Sequence, residues 1–113
     1  MSSSYNINNI YPKPGIYNNT PLLGSDLAVD ATAGGVKIED SFFTQNDQFT
    51  LVFLDIQTAD VFVTFDNSTP ASGNGHLLKV GEKYTWSRAK ARAAKFIRAG
   101  DNSGLVYCSP HEV

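Results

Sequence analysis

The sequence predicts an all-β fold: an antiparallel β-sandwich or jelly-roll-like barrel with one short helix and an extended N-terminal arm. Three observations predict it. Apolar residues recur with period two in several short runs. Segments rich in Gly, Asn and Ser separate those runs. The run of strong helix formers from Arg88 to Lys95 is short. The 113 residues suit one domain. With 42% apolar residues, seven Phe, five Tyr and one Trp, the chain has the material for a core, which excludes global disorder. One cysteine excludes an intrachain disulfide.

Residues 1–24 differ from the rest. They hold three of the five prolines (Pro12, Pro14, Pro21) and one charge, Lys13. Proline and the residue before it favour extended backbone. Tyr5, Ile7, Ile10, Tyr11, Ile16, Tyr17, Leu22 and Leu23 are more apolar groups than a solvated linker needs. The expectation is an adhesive arm over 1–24, laid on its own domain or on a neighbour, followed by a β-domain over 25–113.

Within that domain, residues 36–39 alternate after the Gly34–Gly35 break, as a half-buried strand does. Residues 48–57 read as a longer strand. Phe49, Leu51 and Phe53 share one face and Val52, Leu54 and Ile56 the other. Both faces are apolar, so the strand is expected to be central and covered twice. Residues 60–65 follow after a brief link, which predicts an antiparallel hairpin or a bulged bend. Residues 66–75 are a loop of turn formers. Residues 76–80 and 83–86 read as a strand pair around Gly81 and Glu82. Ser87 reads as the N-cap of a helix over 88–95. Residues 96–99 and 105–108 close the domain as a hairpin, and Pro110 stops the last strand.

Nine Lys+Arg against eleven Asp+Glu leave a net charge of -2, which excludes a strongly basic nucleic-acid coat. The charges are segregated along the chain. Residues 25–66 hold eight acids against Lys37 alone, a net of -7; residues 79–98 hold seven bases against Glu82 alone, a net of +6. On a helix Arg88, Arg92 and Lys95 share one face. Three readings follow. The charges compensate one another inside the fold, or the basic face docks on an acidic face of another subunit. The third is nucleic-acid binding, which the interleaving with Ala rather than aromatics disfavours.

Chemical motifs are sparse. Gly73, Asn74, Gly75 and His76 lack the later glycine and helix of a dinucleotide loop. Cys108 and His111 make half a zinc site, without a second pair of ligands. No Gly-x-Ser-x-Gly elbow occurs, and Glu39 and Asp40 alternate faces if extended. The reading is no enzyme, no cofactor and no metal. Trp86 and the tyrosines, if they line a groove, leave a carbohydrate-binding module as an alternative. No apolar run approaches the ~20 residues of a membrane span. Met1 to Tyr5 lack the basic-then-apolar pattern of a secretory signal, so synthesis in a reducing cytosol is expected.

Three pieces taken together carry a resemblance: Val61-Phe62-Val63-Thr64-Phe65-Asp66-Asn67-Ser68-Thr69-Pro70, then Gly75-His76-Leu77-Leu78 with Gly81, then Ala94-Lys95-Phe96-Ile97-Arg98-Ala99. In this order they resemble small virion proteins of tailed bacteriophages, over residues 61–108. The resemblance implies a β-rich, non-enzymatic structural subunit: a capsid decoration (cement) protein, or a head–tail or tail component. It implies other virion proteins as partners, the major capsid protein or neighbouring structural subunits, in a homo-oligomer or on a lattice. It places the protein in the virion after synthesis in the host cytoplasm. The arm has no counterpart in that pattern. From composition and charge, the expected partner-binding residues are Tyr5, Ile7, Ile10, Tyr11, Ile16 and Tyr17 of the arm, with Arg88, Arg92 and Lys95.

Overall fold

The computed structural model describes residues 24–45 and 49–111. In chain order these form β1 (Ser25–Val29), β2 (Val36–Lys37), α1 (Asp40–Thr44), β3 (Leu51–Gln57), β4 (Val61–Thr64), β5 (His76–Leu78), β6 (Lys83–Ser87), α2 (Arg88–Ala93), β7 (Lys95–Arg98) and β8 (Gly104–His111). The strands build two four-stranded antiparallel sheets, ordered β1-β8-β3-β6 and β2-β7-β4-β5. That order is the jelly roll, in which two Greek keys wrap one sandwich. The all-β sandwich class read from the sequence is the class observed.

The connections differ from expectation. The links after β3, β5 and β7 read locally as hairpins, yet each joins a strand of one sheet to a strand of the other. The reason is edge occupancy. β3 already pairs with β6 on one side and β8 on the other, so β4 has no free edge to join. At the first link the chain turns through Thr58, whose φ is 76°. The Ala59 N–H there donates to the Gln57 carbonyl at 2.9 Å. Among the described strands only β4 and β5 are both consecutive and paired.

β3 is central in its sheet, as expected, but it is covered on one face. Val52, Leu54 and Ile56 are buried, whereas Phe53 on the other face is 41% exposed. The strand starts at Leu51, and Phe49 enters the core from the preceding segment. Pro110 does not end β8. It lies buried opposite Val52, beyond Cys108, the last β8 residue paired with β1 among the described residues. A missing N–H there opens no gap in the β1–β8 ladder.

The sequence reading expected one helix; two short ones close one end of the sandwich. Phe42 and Phe43 are adjacent and both buried. A strand would send one of them outward, and one helical turn tucks both in. Their rings meet edge-on at 5.2 Å, and Phe42 meets Phe49 at 5.6 Å. The second helix begins where expected, with the Ser87 hydroxyl accepting from the Lys90 N–H at 3.2 Å. It ends at Ala93, and Lys95 opens β7 instead of continuing the helical face. Between the two sheets, near α2, Trp86 of β6 stacks on Phe96 of β7 at 6.2 Å.

Gly75 shows why a loop glycine is required just before β5. Its φ is +120°, and a Cβ there would meet the Val63 carbonyl oxygen at 2.4 Å. Only glycine allows β5 to approach β4 so closely. Phe96 joins both sheets, so Phe96→Ala should lower unfolding free energy by about 3–5 kcal/mol in urea titration.

Candidate interaction surface

The expected arm anchors, Tyr5, Ile7, Ile10, Tyr11, Ile16 and Tyr17, lie outside the described residues. Arg88, Arg92 and Lys95 are described, and they do not form one basic docking face. Arg88 is half-buried. Its Nη2 donates to the Phe43 carbonyl at 2.6 Å, and its guanidinium lies 4.4 Å from the centre of the Phe49 ring. It ties α2 to α1 over the aromatic cluster. Arg92 reaches Asp40 at 3.5 Å and also sits over Phe43. Lys95, on β7, donates from Nζ to the Asn67 carbonyl at 3.0 Å.

The remaining bases of this stretch also meet nearby groups of the same body. Lys83 pairs with Asp55 at 3.3 Å, because β6 and β3 are neighbours and these two residues are directly opposed. Arg98 helps hold Asp30 charged. Lys90 lies over the rings of Phe65 and Trp86, at 4.8 and 5.3 Å. Asp55, Asp40 and Asp30 thus each meet a base of the 79–98 stretch inside one fold. Of the three readings of the segregated charge, internal compensation is the one this geometry favours.

Three exposed carboxylates are held below their ordinary range. The Thr32 hydroxyl and N–H do this for Asp30, the Ser68 hydroxyl and N–H for Asp66, and the Tyr84 hydroxyl, with the Lys79 N–H, for Glu82. Burial, aided by the Glu82 hydrogen bond, pushes the Tyr84 phenol up to about 12. Burial, with a smaller contribution from Asp26, pushes the Cys108 thiol up to about 12. Cys108 points into the core and His111 outward, where it stacks on Phe53 at 3.7 Å. The half zinc motif is therefore split between opposite faces of β8. Among the described residues no three potential ligands gather.

Trp86 is 6% exposed and belongs to the core, so it lines no sugar groove. The outer face of the first sheet instead exposes Phe53 and Tyr107. They border a shallow groove of about 400 Å³ shared with Asp55, Lys83, Thr85 and Ser109. Gly24, where the described chain begins, sits directly against the Tyr107 hydroxyl. On the second sheet Leu77 is 46% exposed. Outward phase in a period-two run was the available signal for these residues, and it becomes readable only once the inward face is known. No helix among the described residues is long and apolar enough to cross a membrane. Comparison with protein-family models and with curated proteins finds no match for this chain.

Two outcomes follow. Arg88→Ala should cost about 1–3 kcal/mol by leaving the Phe43 carbonyl without its charged donor, whereas Arg92→Ala should cost about 0–1 kcal/mol, both read by urea titration. The thermal midpoint should fall with acid. The folded pKa values of Asp30, Asp66 and Glu82 lie below the ordinary 3.8, 3.8 and 4.5. Their stabilisation is complete above those values and is lost as pH drops through the lower, folded ones. At the alkaline end the sign reverses. Stability fades as pH rises from 9.0, the ordinary Cys value, towards the folded values of about 12 for Cys108 and Tyr84.

Proposed function

We propose that this chain is a non-enzymatic structural subunit of a larger assembly, a capsid decoration protein of the tailed-phage kind. One observation carries the reading beyond composition. The three pieces that resemble small virion proteins are not scattered turns. They supply β4, β5 and β7, three adjacent strands of the second sheet, together with the loop that packs Gly75 on Val63. The resemblance therefore concerns one packed unit. Jelly rolls serve capsid and lectin domains among others, and the fold alone favours neither. A head–tail or tail component is the same reading at another place in the particle.

In this reading the sandwich is the rigid body and the leading residues grip the partner. Each buried anchor of the Tyr5–Tyr17 stretch contributes roughly 1.5–3 kcal/mol of transfer free energy, reduced by the cost of ordering it. Many copies on a lattice multiply weak contacts through avidity. A carbohydrate-binding module is the second reading, favoured by the exposed Phe53 and Tyr107 rings beside the polar Thr85, Ser109 and Asp55.

The test is cryo-electron microscopy and quantitative mass spectrometry of particles assembled with the chain present. Symmetric density at fixed stoichiometry is expected, and the chain remaining free in solution overturns the proposal. A variant lacking residues 1–20 should keep its β-sheet circular dichroism and melting midpoint yet no longer join particles. Saturable binding of a sugar that shifts the Phe53 and Tyr107 resonances would favour the second reading.

A further inference from the structure

The outer face of the second sheet has a layout that the arm-mediated reading does not use. Val61 and Val63 of β4 are fully buried, so Phe62 between them points outward. The register sets Leu77 of β5 on one side of Phe62 and Ile97 of β7 on the other. These three make an apolar row across the sheet. Leu77 is 46% exposed, and Phe62 and Ile97 are half-buried.

The two ends of this face carry opposite charge. To one side of the row, Lys95 of β7 stands directly opposite Lys37 of β2. Like charges so placed repel within a single sheet. To the other side are Asp60, just before β4, and Asp101, in the turn after β7. Both border a hollow of about 320 Å³ together with Phe62 and Leu77. None of these four forms an ion pair among the described residues, although Lys95 donates to the Asn67 carbonyl and Asp60 accepts from the Val80 N–H at 2.7 Å. Lys79 lies beside Glu82, and Asp66 accepts from Ser68. The face thus reads basic, apolar, acidic along the strand direction.

We propose that this face docks on the same face of a second copy of the chain, about a two-fold axis that runs along the Leu77–Phe62–Ile97 row. That axis lays each row on its counterpart and reverses the strand direction. Each strand then lies over its own counterpart, so Lys95 of β7 comes over the turn that holds Asp101 in the other copy, with Lys37 one strand aside. An axis along the strands would instead set bases over bases. The surface is self-complementary, as a two-fold contact requires. Strands about 4.8 Å apart and residues about 3.3 Å apart make it a patch of a few hundred Å² per copy. That is smaller than the roughly 800 Å² per partner of a standard interface. The pair is accordingly weak in free solution, with a dissociation constant of about 0.1–1 mM, and gains strength only in an array. The inference concerns the free chain and stands whether or not the chain joins a virion.

Sedimentation equilibrium and concentration-dependent NMR of the full chain test it. The expected result is a reversible monomer–dimer equilibrium that weakens with added salt, with amide shifts centred on Phe62, Leu77 and Ile97. Leu77→Glu should leave a folded monomer, as checked by circular dichroism. Lys37→Glu and Asp101→Lys should each weaken the dimer about tenfold, and the two together in one chain should restore it. That charge exchange decides the matter even if Leu77→Glu does not fold. A monomer up to about 1 mM, a dimer indifferent to the charge exchange, or shifts centred on Phe53 and Tyr107 would overturn the proposal.

Discussion

Each sheet of this body has one face that cannot be left in water, and the chain buries both by crossing between sheets at nearly every link. That constraint organises the rest. Val52, Leu54, Ile56, Val106 and Cys108 line the first sheet, and Val61, Val63 and Phe96 the second. Trp86 and Phe96 meet between them. Because all consecutive described strands except β4 and β5 sit in opposite layers, each sheet is completed by crossings from the other. The non-local pairing, β8 between β1 and β3 above all, ties the two ends of the described chain together.

The same wrapping disposes of the charge asymmetry. Residues 25–66 are acidic and residues 79–98 basic, which in an extended chain would make a strong dipole. In the fold, β3 lies beside β6 and α1 lies near α2. Asp55 therefore meets Lys83, and Asp40 meets Arg92. These exposed pairs are individually weak, and they set acids of the first stretch beside bases of the second. What remains for recognition is apolar and local: the Phe53–Tyr107 groove on one sheet and the Leu77–Phe62–Ile97 row on the other. The row differs from the groove in having opposite charges at its two ends.

Arg88 illustrates how a residue chosen for binding turns out to hold the fold together. Its spacing with Arg92 suggested a solvent-facing basic stripe. In the structure its guanidinium caps the aromatic cluster and satisfies the Phe43 carbonyl near the end of α1. A helix of six residues is too short to stand alone. It persists because Ala91 is buried against the body and Arg88 ties it to α1.

Local chemistry by itself determined the β class, the turn segments around Gly34, Gly73 and Gly81, the Ser87 cap and the shared face of Val52, Leu54 and Ile56. Period-two burial, turn sterics and capping act over a few residues and leave their mark in the order of side chains. Only the tertiary structure decided that the apparent hairpins are crossings between sheets, that Phe42 and Phe43 turn into a helix, that Pro110 stays inside its strand, and which outward-facing residues form a surface. Those outcomes depend on which strand edges are already occupied and on what lies across the sandwich. Contacts of that kind join residues far apart in the chain, and short-range pattern carries no record of them.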